Sequence, residues 1–250
     1  MTDPRPRLVF TTDVNGTLTP VNTFAELVRP FGLEGEMVRL MTDYTTGKTG
    51  FAKVLPEMRR LACSVDRKRL EDVARSLVFF PGAIDVIEKI SSSQAVNAVT
   101  ALSTTGFAGL MALLNTMRHQ GLLKVAASPV LAGLLSDSEK SALIRPILSE
   151  SHKILVIDDL VESHCPNPGL VFHVGDTLGD FDGIRHAAET GGLGIAFNPN
   201  APLVSKLGDL PSSARKNIRL LVFPVDTKPD YTQVCQAVSE RIWEKTRTEL

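Results

Sequence analysis

Two stretches of the chain place carboxylates where apolar segments run out. In Leu8-Val9-Phe10-Thr11-Thr12-Asp13-Val14-Asn15-Gly16-Thr17-Leu18 an apolar run that reads as a buried strand delivers Asp13 into a glycine turn. In Leu170-Val171-Phe172-His173-Val174-Gly175-Asp176-Thr177-Leu178-Gly179-Asp180-Phe181-Asp182 the arrangement recurs, now followed by Asp176, Asp180 and Asp182. An acid at the end of a strand in an open α/β sheet sits where ligands bind, so Asp13 reads as a nucleophile or a metal ligand. Carboxylates as close as those of the second stretch repel one another unless a cation lies among them, and hard oxygen ligands of this kind suit Mg²⁺. Two strand-end acids in one chain point to a joint site.

An anion has its own candidates. Ser103-Thr104-Thr105-Gly106-Phe107 follows a predicted strand, and hydroxyls with backbone N–H groups at a helix start hold phosphate well. Lys140, in Ser136-Asp137-Ser138-Glu139-Lys140-Ser141, falls in the first turn of a helix predicted over 138–148. The helix dipole disfavours a cation there unless an anion is paired with it. Taken alone, Lys140 reads as a surface lysine beside Asp137 or Glu139. His164, Cys165 and His173 lack metal-ligand spacing, and His173, inside a predicted strand, reads as a core histidine.

The elements that must carry these groups follow from periodicity. From about Thr23 to Leu77 apolar residues recur at helical spacing, with breaks at Pro30-Phe31-Gly32 and Thr45-Thr46-Gly47-Lys48. Beyond that block strands and helices alternate: helix Ala83 to Ile90, strand Ala95 to Leu102, helix Gly109 to Met117, a short apolar run near Leu123 to Ala127, helix Ser138 to Leu148, strand Leu170 to Val174 and strand Leu193 to Phe197. A further apolar run, Ile218 to Val225, precedes a polar helix from about Tyr231 to Arg247. The segment 154–162 reads as an amphipathic helix with Ile154, Ile157, Leu160 and Val161 on its apolar face. Such alternation implies an α/β fold, a Rossmann-like doubly wound parallel sheet, with a small all-helical cap inserted after the first strand. The expected division is a core of residues 1–20 and 79–250 and a cap of 21–78.

Bulk composition narrows the partners. Lys plus Arg number 27 against 28 Asp plus Glu, so a net charge of -1 supplies no field to gather nucleic acid or an acidic membrane. Small molecules are the expected clients. The three cysteines are widely spaced, no apolar leader is seen, and polar residues interrupt the uncharged stretch between Lys89 and Arg118, so a cytoplasmic protein, monomer or homodimer, is expected.

Taken in order, Asp13-Val14-Asn15-Gly16-Thr17, the hydroxyl after a strand, Lys140 opening a helix, and Gly175-Asp176-Thr177-Leu178-Gly179-Asp180 resemble the motifs of the haloacid dehalogenase superfamily. The insert after the first motif, with Phe79-Phe80-Pro81-Gly82-Ala83, Thr105-Gly106-Phe107 and Gly194-Ile195-Ala196-Phe197-Asn198, is similar to the phosphoserine phosphatase-type branch. The resemblance covers about residues 7 to 210. It implies that Asp13 attacks phosphorus to form an aspartyl-phosphate, and that Lys140 with Ser103 or Thr104, Thr105 and Gly106 bind the phosphoryl oxygens. It also implies Mg²⁺ held by Asp13, the backbone carbonyl of Asn15, and Asp176, with Asp180 orienting the metal's surroundings. Matching from Phe107 backwards favours Thr104; matching residue type favours Ser103.

One position departs from the pattern. The phosphatases of the family carry an aspartate two residues after the nucleophile, which protonates the leaving group and then activates water; here the residue is Asn15. General acid–base help is typically worth about 10² to 10⁴ in rate. A slow or specialised Mg²⁺-dependent hydrolase of a small phosphorylated metabolite is the expectation. An engineered Asp→Asn change, a substrate with a good leaving group, an acid supplied from the cap, or a protein that binds a phosphometabolite or protein partner without turnover would each account for Asn15. Dehalogenase or phosphonatase-type chemistry fits the phosphate-binding groups less well. Phosphoserine phosphatases also hold their substrate's amino group with a glutamate soon after the first motif; Asn22 and Glu26 lie there, with Arg59 and Arg60 as candidates for an acidic group.

Overall fold

The computed structural model describes residues 5–119, 121–149, 151–164 and 170–248; Cys165 lies outside them. The chain runs β1 (Arg7–Thr12), then helices α1 (Thr23–Val28), α2 (Glu34–Thr45), α3 (Phe51–Leu61), α4 (Arg67–Ser76) and α5 (Ala83–Ser91). It continues through β2 (Asn97–Phe107), α6 (Ala108–Arg118), β3 (Leu123–Ser128), α7 (Asp137–Lys140), β4 (Leu143–Pro146), α8 (His152–His164) and β5 (Leu170–Gly175). Last come α9 (Phe181–Glu189), β6 (Leu193–Phe197), α10 (Ala201–Gly208), α11 (Ser212–Arg215), β7 (Ile218–Leu221) and α12 (Thr232–Thr248).

The seven strands form one sheet in the order β4-β3-β2-β1-β5-β6-β7, parallel throughout. Strands covered on both faces have no reason to alternate, which is why Leu8-Val9-Phe10 and Leu170-Val171-Phe172 read as unbroken apolar runs. Strand order reverses between β1 and β5, the position where open α/β sheets leave a crevice at their carboxyl ends. Thr12 lies opposite Val174, and the Asp13 N–H donates to the Val174 carbonyl at 2.9 Å. The two acid-bearing turns therefore leave the sheet side by side.

Three elements differ from the periodicity reading. The strand expected to stop at Leu102 continues to Phe107, so residues 103–107 are extended chain rather than a loop at a helix start. Its register with β3 slips there: Ser103 pairs Ala126 but Phe107 pairs Ser128. The helix expected over 138–148 is a single turn, α7, followed by strand β4; Pro146 would cost a helix one of its N–H bonds, and pairing with β3 takes the apolar run instead. The run 218–225 yields only β7, ending before Pro224.

Helices α1–α4 contain no strand among them and pack on the same sheet edge. Phe24 of α1 meets Phe107 at the end of β2 edge-on, ring centroids 5.0 Å apart. Buried side chains from these helices, including Phe24, Met37, Tyr44 and Met58, join Leu8, Phe10, Leu102 and Phe172 in one hydrophobic cluster.

Candidate active site

At the β1–β5 seam, Asp13, Asp176 and Asp180 each offer an oxygen within 4.8 Å of the others. Glycine allows the approach. Gly16 has φ +79°, and a Cβ there would stand 2.0 Å from Asp176 Oδ2; a Cβ on Gly175 would stand 2.1 Å from Asp180 Cγ.

The cation among these acids is Lys153. It lies in the first turn of α8, is 2% exposed, and places Nζ 3.4 Å from Asp13 Oδ1 while bonding Asp180 Oδ1. Burial works against its charge, but Asp13 and Asp180 outweigh this and hold it protonated well above the ordinary lysine range. Lys140, by contrast, does not reach the site: its side chain is 53% exposed and sits 3.6 Å from Asp137. With 138–148 no longer a helix, nothing turns Lys140 inward.

Asp180 is saturated as an acceptor. Its Oδ1 takes Lys153, with His173 Nε2 3.6 Å away, and its Oδ2 takes the N–H groups of Asp176 and Thr177 at 3.1 Å and the Thr177 hydroxyl at 3.3 Å. Burial opposes its ionisation, yet Lys153 and His173 hold it well below the usual carboxylate range. It organises the loop and the lysine. Burial pushes Asp13 up to about 6; Lys153 opposes this, Asp180 adds to it, and the Thr104 hydroxyl and Val14 N–H help keep it ionised. Burial, Asp180 and Asp13 together push Asp176 well above its ordinary value, although the Thr17 hydroxyl donates to it at 2.9 Å. Two carboxyls forced up by burial and by repulsion from Asp180, all donors oxygen, form a set whose chemistry fits a hard divalent cation.

Of the hydroxyls after β2, Thr104 lies against Asp13 and accepts the Gly106 N–H at 3.2 Å, while the Ser103 hydroxyl is buried without a partner. Thr105 is buried and continues the strand. The Asn15 side chain belongs to the nucleophile turn, but its Oδ1 is occupied by Thr23, which donates its N–H at 2.9 Å and its hydroxyl at 2.7 Å. Asn22 caps α1 through Phe24 and Ala25, and Glu26 pairs with Arg29. Arg60 pairs with Glu36 and Glu57, whereas Arg59 lines an open cleft of about 550 Å³ with Cys63, Val130 and Leu131. His173, wholly buried with Nδ1 2.8 Å from the Thr11 hydroxyl, is kept neutral chiefly by burial.

The end of α2 closes over the second acid turn. A Cβ on Gly179 would stand 2.8 Å from the Tyr44 hydroxyl, one on Gly47 would stand 3.2 Å from Leu178 Cδ1, and Asn200 Nδ2 donates to the Thr45 carbonyl at 3.2 Å. Asp13 is left 7% exposed.

The order of this sheet and the helices that flank it match solved structures. The fold is that of the phosphoserine phosphatases. A phosphoserine phosphatase captured as an analogue of its phospho-aspartyl intermediate superposes with TM-score 0.68 at 18% identity, covering 94% of this chain and 99% of that one. A substrate-bound phosphoserine phosphatase gives 0.68 at 18%, over 95% and 100%. A HAD family hydrolase from Salmonella enterica serovar Typhi gives 0.59 at 17%, over 81% and 67%. No protein-family model and no curated protein matches the sequence. Among the described residues no helix is long and apolar enough to cross a membrane.

Proposed function

We propose that this chain is a Mg²⁺-dependent phosphoric monoester hydrolase acting on a small phosphorylated metabolite through an aspartyl-phosphate. The observation that carries the reading is Lys153 lodged between Asp13 and Asp180, with the Thr104 hydroxyl against the same Asp13. In this reading Asp13 is the nucleophile, aligned by its N–H bond to Val174. Thr104, Lys153 and backbone N–H groups near Gly106 bind phosphoryl oxygens, and Lys153 offsets the charge of Asp13. Asp13, Asp176 and the Asn15 backbone carbonyl hold the metal, which polarises the phosphoryl group when bound. Asp180 fixes Lys153 and the 176–177 backbone. Residues 21–78 act as a cap over a core of 1–20 and 79–250, with the end of α2 excluding water. A lysine and hydroxyl around the nucleophile suit a phosphoryl oxyanion better than a carbon-bound halide.

The test is p-nitrophenyl phosphate turnover with Mg²⁺ by the wild type, Asn15→Asp and Asp13→Asn. Asn15→Asp should gain at least about a hundredfold in kcat, since its carboxylate would take a proton from the water that hydrolyses the aspartyl-phosphate, help worth about 10² to 10⁴, and Asp13→Asn should be dead. Absence of turnover in both wild type and Asn15→Asp, each folded, refutes hydrolysis and leaves a phosphometabolite-binding scaffold.

A further inference from the structure

The orientation of Asn15 says what kind of phosphate this site accepts. A backbone N–H can only donate, so the atom that meets the Thr23 N–H and hydroxyl is the amide oxygen, and the amide NH₂ is directed elsewhere. That group donates hydrogen bonds but exchanges no proton at working pH. The neighbours offer no substitute among the described residues. Lys153 donates to both Asp13 and Asp180, Asp180 accepts on both oxygens, and His173 is sealed behind it on Thr11. Asp176 takes the Thr17 hydroxyl and, in the reading above, the cation. The hydroxyls beside these groups, Ser103, Thr104 and Tyr44, are alcohols and a phenol, classes weaker as acids than a carboxyl.

Resting on the phosphatase reading, we propose that the site selects substrates by the basicity of the leaving oxygen: it takes acyl phosphates, phosphoanhydrides or aryl phosphates and rejects alkyl phosphate monoesters. In the first step an Asp13 oxygen bonds to phosphorus as the bond from phosphorus to the leaving oxygen breaks. The electron pair stays on that oxygen, which departs as carboxylate, phosphate or phenolate with no proton transferred. In the second step water bonds to phosphorus, the bond to Asp13 breaks and its pair returns to the carboxylate, while the water proton passes to the released phosphate or solvent. An alkoxide is too basic to leave this way. Phosphoserine is an alkyl phosphate, so this chain parts company on substrate with the enzymes whose fold it shares.

The experiment measures kcat/KM, which reports the first step, in Mg²⁺ for acetyl phosphate, p-nitrophenyl phosphate, phenyl phosphate and ethyl phosphate. Wild type, Asn15→Asp and Tyr44→Phe are compared. Wild-type kcat/KM should fall steeply along that series. Asn15→Asp should flatten the fall, gaining less than about tenfold with acetyl phosphate and about 10² to 10⁴ with ethyl phosphate, and Tyr44→Phe should keep the wild-type slope. Wild-type turnover of ethyl phosphate within tenfold of acetyl phosphate overturns the proposal, and its loss in Tyr44→Phe would assign the missing proton to Tyr44. If Asn15→Asp hydrolyses the series while the wild type hydrolyses none of it, the selectivity falls and the phosphatase reading stands. If neither protein hydrolyses anything, the phosphatase reading itself falls.

Discussion

Replacing Lys153 by methionine removes the cation that pairs with Asp13 and Asp180, the two buried members of the carboxylate cluster. Losing one partner of a buried ion pair typically costs about 3 to 5 kcal/mol, because the remaining charge is stranded without solvent. The cost has a pH signature. Asp13 already titrates near 6 rather than 3.8 with Lys153 opposing the rise, so without that ammonium it titrates higher still. An acid whose folded pKa exceeds its unfolded value contributes stability that is complete below the unfolded value and is lost as pH climbs through the folded one. The penalty of Lys153→Met should therefore be largest at about pH 8 and smaller at about pH 5, shrinking by about 1.4 kcal/mol for each unit by which Asp13 has moved. Guanidinium unfolding in the presence of a chelator measures this, with Lys140→Met as the control. The control should change stability by no more than about 0.5 kcal/mol at either pH, since Lys140 is half exposed and loosely paired. Equal penalties at the two lysines, or a Lys153→Met penalty that is below about 1 kcal/mol or flat with pH, would refute the assignment of Lys153 to the acid cluster.

Asp176→Asn removes a carboxyl that burial, Asp180 and Asp13 all push towards protonation, so the metal-free variant should be stabilised by about 1 kcal/mol at about pH 8 while the Mg²⁺-induced rise in Tm disappears; an undiminished Mg²⁺ shift would take Asp176 out of the metal site. Gly16→Ala combines a left-handed backbone, costing about 1 to 2 kcal/mol, with a methyl group driven into Asp176, and should lower both Tm and Mg²⁺ affinity. Arg67 at the start of α4 grips Glu139 with two N–H donors at 2.6 and 2.7 Å, and this holds the Glu139 carboxyl at about 2 despite its burial. Glu139→Gln should cost about 2 kcal/mol near neutrality. Because the folded pKa is depressed, that difference should persist above the unfolded value of 4.5 and fade as the pH drops from there towards 2, which urea titrations between neutrality and pH 4 will register.

The acids were legible because a strand-end carboxylate has a local signature: an apolar run, then Asp13 or Gly175-Asp176. The lysine was not, because its burial depends on the phase of a helix. Assigning 154, 157, 160 and 161 to the apolar face leaves Lys153 off it, whereas the buried set is Lys153, Val156, Ile157 and Leu160. An offset of one residue turns a helix by about 100°, enough to move a side chain from solvent to core. A lysine spaced three, four and seven residues before buried aliphatics was the available signal. The hydroxyl was undecidable from one strand, since the slip between β2 and β3 involves two segments that only tertiary structure brings together. The alternation of α/β elements was readable throughout, but short edge strands such as β4 carry too few residues to announce a period.

The shared interior of helices α1–α4 and the sheet has a practical consequence for protein engineering. Phe24, Leu27 and Val28 belong to the same buried cluster as Phe107, Leu102 and Phe10, and Phe24 meets Phe107 edge-on, so the helical block is no detachable accessory. Transplanting such a block from a relative would have to carry over the β2–α6 wall as well, because the α1 side chains share their interior with it.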